Sequence, residues 1–328
     1  MTSDSIGPSG GSATETIDLA GEWRFSTDTE ETGVESNWAE NSLEGAISLP
    51  GTTDEAGVGD PAAGRDTHHL TRTRRYEGTA WYQRTVEIPQ DWRGRRVTLF
   101  LERSRKTTLW VDDTEIGTRH SLSTPHEYDL TGVVDPGAHT LTIRVDNGSP
   151  PVTFDGVQKS HQATVETQTN WNGILGDLRL RATDPVWIDD VRVTFGDDGT
   201  NATVELDVGN QTGEQVTGYI RTRVLPGSDD VCGSGSDSSE PPTESVHSDI
   251  SIESGESSLC VELGLTGDEH RWDEFDPGAD ELIVELRAKT ADGEFEHATA
   301  VPLGRCDFEV DGTQFSSNGR TTFLRGTV

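Results

Sequence analysis

Ala80-Trp81-Tyr82-Gln83-Arg84-Thr85-Val86-Glu87-Ile88 decides the fold class. Its apolar and polar residues alternate with a period of two, and the run stops at Pro89, which has no backbone N–H to carry a ladder further. The same period continues outward. Arg96–Leu101, Thr107–Val111, His139–Val145 and Leu178–Arg181 repeat it, with Gly, Asp or Asn-Gly turns between them. After Asp184-Pro185 a second group follows: Val186–Val193, Ala202–Val208, Val216–Val224, Asp249–Ile252, Leu259–Leu263, Leu282–Ala288 and Ala298–Leu303. Strands this closely spaced predict antiparallel sandwiches, and seven in the second group is the number of an immunoglobulin-like domain. No 12-residue window carries a helical stripe, so α/β folds fall away.

Composition narrows the function classes. Lys plus Arg is 26 against 59 Asp plus Glu, a formal net charge of −33, and hydrophobic residues are 31%. That last value is below the usual ~45–50% and invites a reading as disorder. The eight Trp and nine Phe lie largely inside alternating segments, which argues for packed cores instead. No apolar run reaches the ~18 residues of a membrane span, and an acidic surface repels a nucleic-acid backbone. The only lysines are Lys106, Lys159 and Lys289. A Lys-poor, acid-rich surface fits a high-salt cytosol, where molar salt shortens the Debye length to about 3 Å and makes the self-repulsion tolerable.

Cys232, Cys260 and Cys306 stand at no metal-ligand spacing, so no metal is indicated. A Cys232–Cys260 bridge is one reading and reduced thiols the other, which a cytosol favours. The opening MTSDSIGPSGGSATET lacks the charged and apolar regions of a signal peptide, and a cytoplasmic location is expected. Residues 1–15 read as a solvated tail. Residues 227–244, GSDDVCGSGSDSSEPPTE, read as an acidic loop inserted between strands.

The order of short motifs resembles glycoside hydrolase family 2, which includes β-galactosidases, β-glucuronidases and β-mannosidases. Leu19-Ala20-Gly21-Glu22-Trp23-Arg24-Phe25 resembles its L-x-G-x-W-x-F opening, and Leu49-Pro50-Gly51 its LPG turn. Gly78-Thr79-Ala80-Trp81-Tyr82-Gln83-Arg84 resembles G-x-x-W-Y-R-R. Gly137-Ala138-His139-Thr140-Leu141 with Val145-Asp146-Asn147 resembles G-x-H-x-L…V-x-N, and Asn170-Trp171-Asn172-Gly173-Ile174 resembles N-x-x-G-I. Phe315–Gly326 resembles F-x-x-N-G-x-x-x-x-L-R-G, which in that family leads into a catalytic (β/α)₈ barrel.

The resemblance implies an all-β chain: a jelly-roll sugar-binding domain over 16–183, an immunoglobulin-like sandwich over 184–304, and at 305–328 a terminal hairpin that begins a barrel. A barrel needs ~250 residues. Both catalytic glutamates of the family lie in it, so the chain is expected to be a non-catalytic N-terminal part of a retaining O-glycosyl hydrolase. The alternatives are a stand-alone carbohydrate-binding or interaction module and an inactive product of a broken gene. Expected partners are a β-glycoside and a separately encoded barrel; no nucleic acid, membrane or cofactor is expected.

The family's jelly-roll loops reach the sugar, and two segments here match them. One is Thr52–Arg75, with Asp54, Glu55, His68, His69 and Arg72; the other is His161–Asn172, with Gln168, Asn170, Trp171 and Asn172. Amides and carboxylates suit sugar hydroxyls, and an indole offers a face to C–H groups. The residues expected to bind substrate are Asp54, Glu55, His69, Arg72, Gln168, Asn170, Trp171 and Asn172. Each has a plainer alternative. Trp171 can be packing, His68 and His69 point to opposite faces if extended, and Arg72 can either grip a uronate carboxylate or neutralise nearby acids. Trp23 and Trp81 are expected in the core.

Overall fold

The computed structural model describes residues 14–62, 73–148, 170–196, 199–226, 243–265, 271–274, 277–291 and 293–326. They form two compact units, Thr14–Ala182 and Thr183–Val328. Every pairing between named strands is antiparallel. Among the described residues the only helical element is the three-residue 3₁₀ turn Gln90–Trp92.

In the first unit a six-stranded sheet runs in the order Thr114–Arg119, Lys106–Val111, Gly137–Asp146, Thr79–Ile88, Gly21–Asp28, Gly45–Leu49. A second sheet is ordered Glu15–Asp18, Gly173–Thr183, Arg96–Ser104, His126–Asp129, with Gly51–Thr52 also paired to Gly173–Thr183. One apolar cluster joins both sheets: Trp23, Tyr82, Leu109 and Ile143 from the first meet Leu99, Leu101, Tyr128 and Leu180 from the second. This is the jelly-roll sandwich. Its first strand opens at Glu15, inside the stretch expected to be tail. Glu15 accepts from Trp92 Nε1 at 2.8 Å and from Arg95 at 2.5 Å, which hold its carboxyl below the usual range.

Thr79–Ile88 lies at the centre of its sheet, paired along all ten residues to Gly137–Asp146. A strand with one wet face would show alternate burial, yet Thr79 to Gln83 are all buried. The segment 29–44 covers the outward face. Trp81 stacks on Trp110 at 5.1 Å and meets Trp38 at 5.9 Å, forming a second small core with Leu43. Trp81 is therefore buried as expected, but on the face opposite Tyr82. Buried Asp28 fastens the covering segment, accepting from Thr32 N, Gly33 N and Trp81 Nε1 at 2.9–3.0 Å. Gln83 fastens its far end through Ala39 O, Asn41 O and Leu43 N.

The second unit is the immunoglobulin-like sandwich. Val186–Phe195, Asn201–Asn210 and Gly255–Gly264 form one sheet; Thr243–Ile252, Val216–Leu225, Asp280–Lys289 and Glu294–Leu303 form the other. All seven strands are ten residues long. That corrects the expectation of short ones: the ladder runs on where the apolar pattern fades, as through Glu256, Ser257 and Ser258. Val204, Leu206, Ile220, Leu282, Val284 and Leu286 share its core. Cys260 and Cys306 are free, exposed thiols. Cys232 and residues 227–242 of the acidic loop lie outside the described residues, whereas Thr243 and Glu244 belong to a strand.

The last described strands, Phe308–Asp311, Gln314–Ser317 and Arg320–Thr322, form a three-stranded meander: the expected hairpin with a third strand after the turn at Asn318-Gly319. Asn318 and Gly319 both take positive φ, 51° and 75°, as a tight turn with right-handed strand twist requires. The third strand stops at Thr322. Phe323 and Leu324, expected within it, lie beyond it and are 73% and 67% exposed.

Candidate sugar-binding site

His69, Arg72 and Gln168, along with His68, lie outside the described residues. The other five expected residues fall on two segments that the fold sets side by side. Gly51–Thr52 pairs with Gly173 and Ile174, and Thr53 N donates to Asn172 O at 2.9 Å. The approach explains the motif glycine. Gly173 has φ 146°, and a Cβ there would lie 2.9 Å from Thr52 Cα and run into the Gly51 carbonyl.

Asparagines from motifs far apart in sequence meet in one buried network behind these segments. Asn172 Nδ2 donates to Gly78 O at 3.0 Å and Val145 O at 3.1 Å, while its Oδ1 accepts from Tyr82 at 2.8 Å. Asn147 accepts from Gly78 N at 2.8 Å and donates to Tyr76 O at 2.9 Å. Asn170 Nδ2 donates to Asn147 O at 2.8 Å. Burial holds the Tyr82 phenol well above its ordinary pKa, so it stays protonated and donates.

Asn172 is 0% exposed with both ends of its amide engaged, so it has no surface with which to meet a ligand. Asn172 braces the loop from inside. Glu55 is exposed, but its Oε2 turns back to Thr52 N and Oγ1 at 3.1 and 3.2 Å. Its carboxylate also lines an open cleft of ≈ 390 Å³ with Glu22, Ser48, Pro50 and Thr52.

Asp54, Asn170 and Trp171 keep the features of ligand-facing groups. Each is half-buried. Asp54 Oδ1 and Asn170 Oδ1 are buried oxygens that accept no hydrogen bond among the described residues, and such orphaned acceptors are uncommon. The Arg105 guanidinium lies 5.2 Å from the centre of the Trp171 ring, close enough for cation–π attraction. Neither Arg105 nor the brace formed by Tyr82 and Asn147 was expected at the site. The available signals were Tyr82 in the G-x-x-W-Y-R-R motif and Asn147 in the V-x-N motif.

Residues 17–184, just over half of the 328, match the family described as "Glycosyl hydrolases family 2, sugar binding domain". The chain belongs to glycosyl hydrolase family 2. Within that family it is 27% identical to a β-glucuronidase of Paenibacillus borealis over 238 residues, 68% of this chain and 38% of that protein. It is 24% identical to a β-galactosidase of Oenococcus oeni over 323 residues, 94% of this chain and 29% of that one. Among solved structures, a calcium-binding mutant of Bacteroides uniformis β-glucuronidase 2 superposes with a TM-score of 0.69 at 18% identity, over 95% of this chain and 35% of that chain. A Ruminococcus gnavus β-glucuronidase gives 0.63 at 18%, over 95% and 47%. Identities this low speak for the fold alone. The family 2 chain spans less than half the length of these relatives.

Proposed function

We propose that the chain is the sugar-binding and scaffolding part of a retaining β-glycosidase of the glucuronidase or galactosidase kind, and that the bond-breaking carboxylates are supplied by a catalytic barrel. The observation that carries this reading is the amide-braced pair of segments with two orphaned acceptors beside a half-buried indole. Asp54 Oδ1 and Asn170 Oδ1 would take hydrogen bonds from sugar hydroxyls, and Trp171 would offer a face to the ring. The β-glucuronidases among its relatives favour a uronate as the sugar.

Retention needs two carboxyl groups about 5–5.5 Å apart across the scissile bond. The described residues contain no α-helix, and so no (β/α)₈ barrel to hold such a pair. Phe308, Val310 and Phe315 on the meander and Phe323 and Leu324 just beyond it are exposed, and these apolar side chains support a covering partner such as the barrel. The acid-rich surface and the free thiols Cys260 and Cys306 support a reducing, high-salt cytosol.

Saturation-transfer NMR in molar KCl, with D-glucuronate, D-galactose and D-mannose, tests the sugar-binding part. D-glucuronate is expected to give the strongest transfer, and Trp171→Ala to abolish it without lowering the melting temperature. Equal signals from wild type and Trp171→Ala would remove the site from these segments.

A further inference from the structure

The second unit carries a groove of ≈ 520 Å³ on the outer face of its four-stranded sheet. Register sets two rows of three side chains across it. Thr217, Lys289 and Glu294 form one row, and Tyr219, Arg287 and Glu296 the other. Residues two apart on a strand share a face, so both rows point away from the core that holds Ile220, Leu286 and Ala288. Between the rows run Gly218 and Ala288, directly paired. Gly218 is the residue this spot admits, because a Cβ would run into the Arg287 carbonyl.

A backbone irregularity completes the groove. Gly218 pairs with Ile250 and Tyr219 with Ser248, which leaves Asp249 as the extra residue of a bulge. Asp249 takes φ 63° and is exposed. Bulges re-aim side chains, and positive φ outside glycine concentrates at functional positions. Here the bulge brings a third carboxylate to the rim of the groove, which Asp249 lines beside Tyr219.

The lining selects a ligand class. Arg287 and Glu296 hold each other at 3.0 Å; beyond that pair a simple anion meets Asp249 and Glu294, and a simple cation meets Lys289. An apolar ligand would strip water from all five charges. A hydroxyl both donates and accepts, so a chain of hydroxyls can be served by the cations and the carboxylates together. Tyr219 adds an aromatic face of the kind sugar C–H groups pack on, and the Arg221 guanidinium 5.9 Å from its ring centre helps hold it. The volume falls within the ~300–1,000 Å³ of small-molecule sites. We propose that this groove is a second carbohydrate-binding site, taking a short stretch of neutral oligosaccharide independently of the jelly-roll segments.

The test is calorimetric titration of the whole chain in molar KCl with cellotetraose, xylotetraose and mannotetraose. At least one is expected to bind. Tyr219→Ala and Lys289→Ala are each expected to weaken it by about tenfold or more, and Trp171→Ala to leave it unchanged. Melting curves check that each variant is folded; Lys289 is exposed, so its variant decides should Tyr219→Ala unfold. Binding by none of the three, binding unchanged in the Lys289 variant, or binding lost in Trp171→Ala would each overturn the proposal. The last outcome would move the oligosaccharide to the jelly roll, and the saturation-transfer experiment with D-glucuronate stands or falls separately.

Discussion

Asn172→Ala is expected to destabilise the jelly roll by about 3–5 kcal/mol. The substitution leaves the Tyr82 hydroxyl without its acceptor and removes the amide donor from the carbonyls of Val145 and Gly78, the latter keeping only Asn147 N at 3.4 Å. Tyr82 and Asn172 are both 0% exposed, so water cannot step in unless the loop opens. Each stranded buried polar group costs ~1–3 kcal/mol. For a domain of this size the loss corresponds to a fall in melting temperature on the order of 10 °C. Tyr82→Phe separates the contributions. It removes one donor and leaves the amide's other bonds, so ~1 kcal/mol is expected. Near-equal melting temperatures for wild type and Asn172→Ala would mean that the network is decoration.

Transfer from ~3 M to ~0.1 M KCl is expected to lower the melting temperature by at least about 10 °C, or to unfold the chain at room temperature. Two effects of salt oppose each other. Salt weakens ion pairs such as Arg192–Asp190 at 2.6 Å and Arg192–Asp207 at 2.8 Å, but Arg192 there is 48% exposed. Exposed pairs contribute ~0–1 kcal/mol each. Against them stands the mutual repulsion of a net −33, unscreened once the Debye length reaches ~10 Å. Repulsion wins, so stability rises with salt. A midpoint that is flat across the KCl series, followed by circular dichroism, would show that the acidic surface is neutral to folding.

How much of this was legible depends on whether a residue's fate is local. Thr79–Ile88 announces itself because alternation and Pro89 are both written in the chain. Thr114–Arg119 does not, because it is an edge strand with a register shift between Glu115 and Gly117 and nearly no buried side chain. Asp28 and Gln83 read as surface polar residues, yet both are buried under a segment whose position no periodicity reports. Asn172 is the instructive case. A polar residue in a glycine-flanked loop resembles a ligand contact, and only the tertiary meeting of Gly78, Tyr82 and Val145 shows that it faces inward. Three of the six quoted motifs, those around Tyr82, Asn147 and Asn172, supply that network, and Tyr82 and Asn172 are separated by 90 positions.

Hydrolysis of p-nitrophenyl β-D-glucuronide and β-D-galactoside by the purified chain in molar KCl addresses the central claim most directly. A scaffold without the paired carboxylates releases no nitrophenol above the buffer blank. Release that co-elutes with the folded chain through successive columns and scales with its concentration would contradict the account, because a catalytic pair would then have to reside in these β-sandwiches.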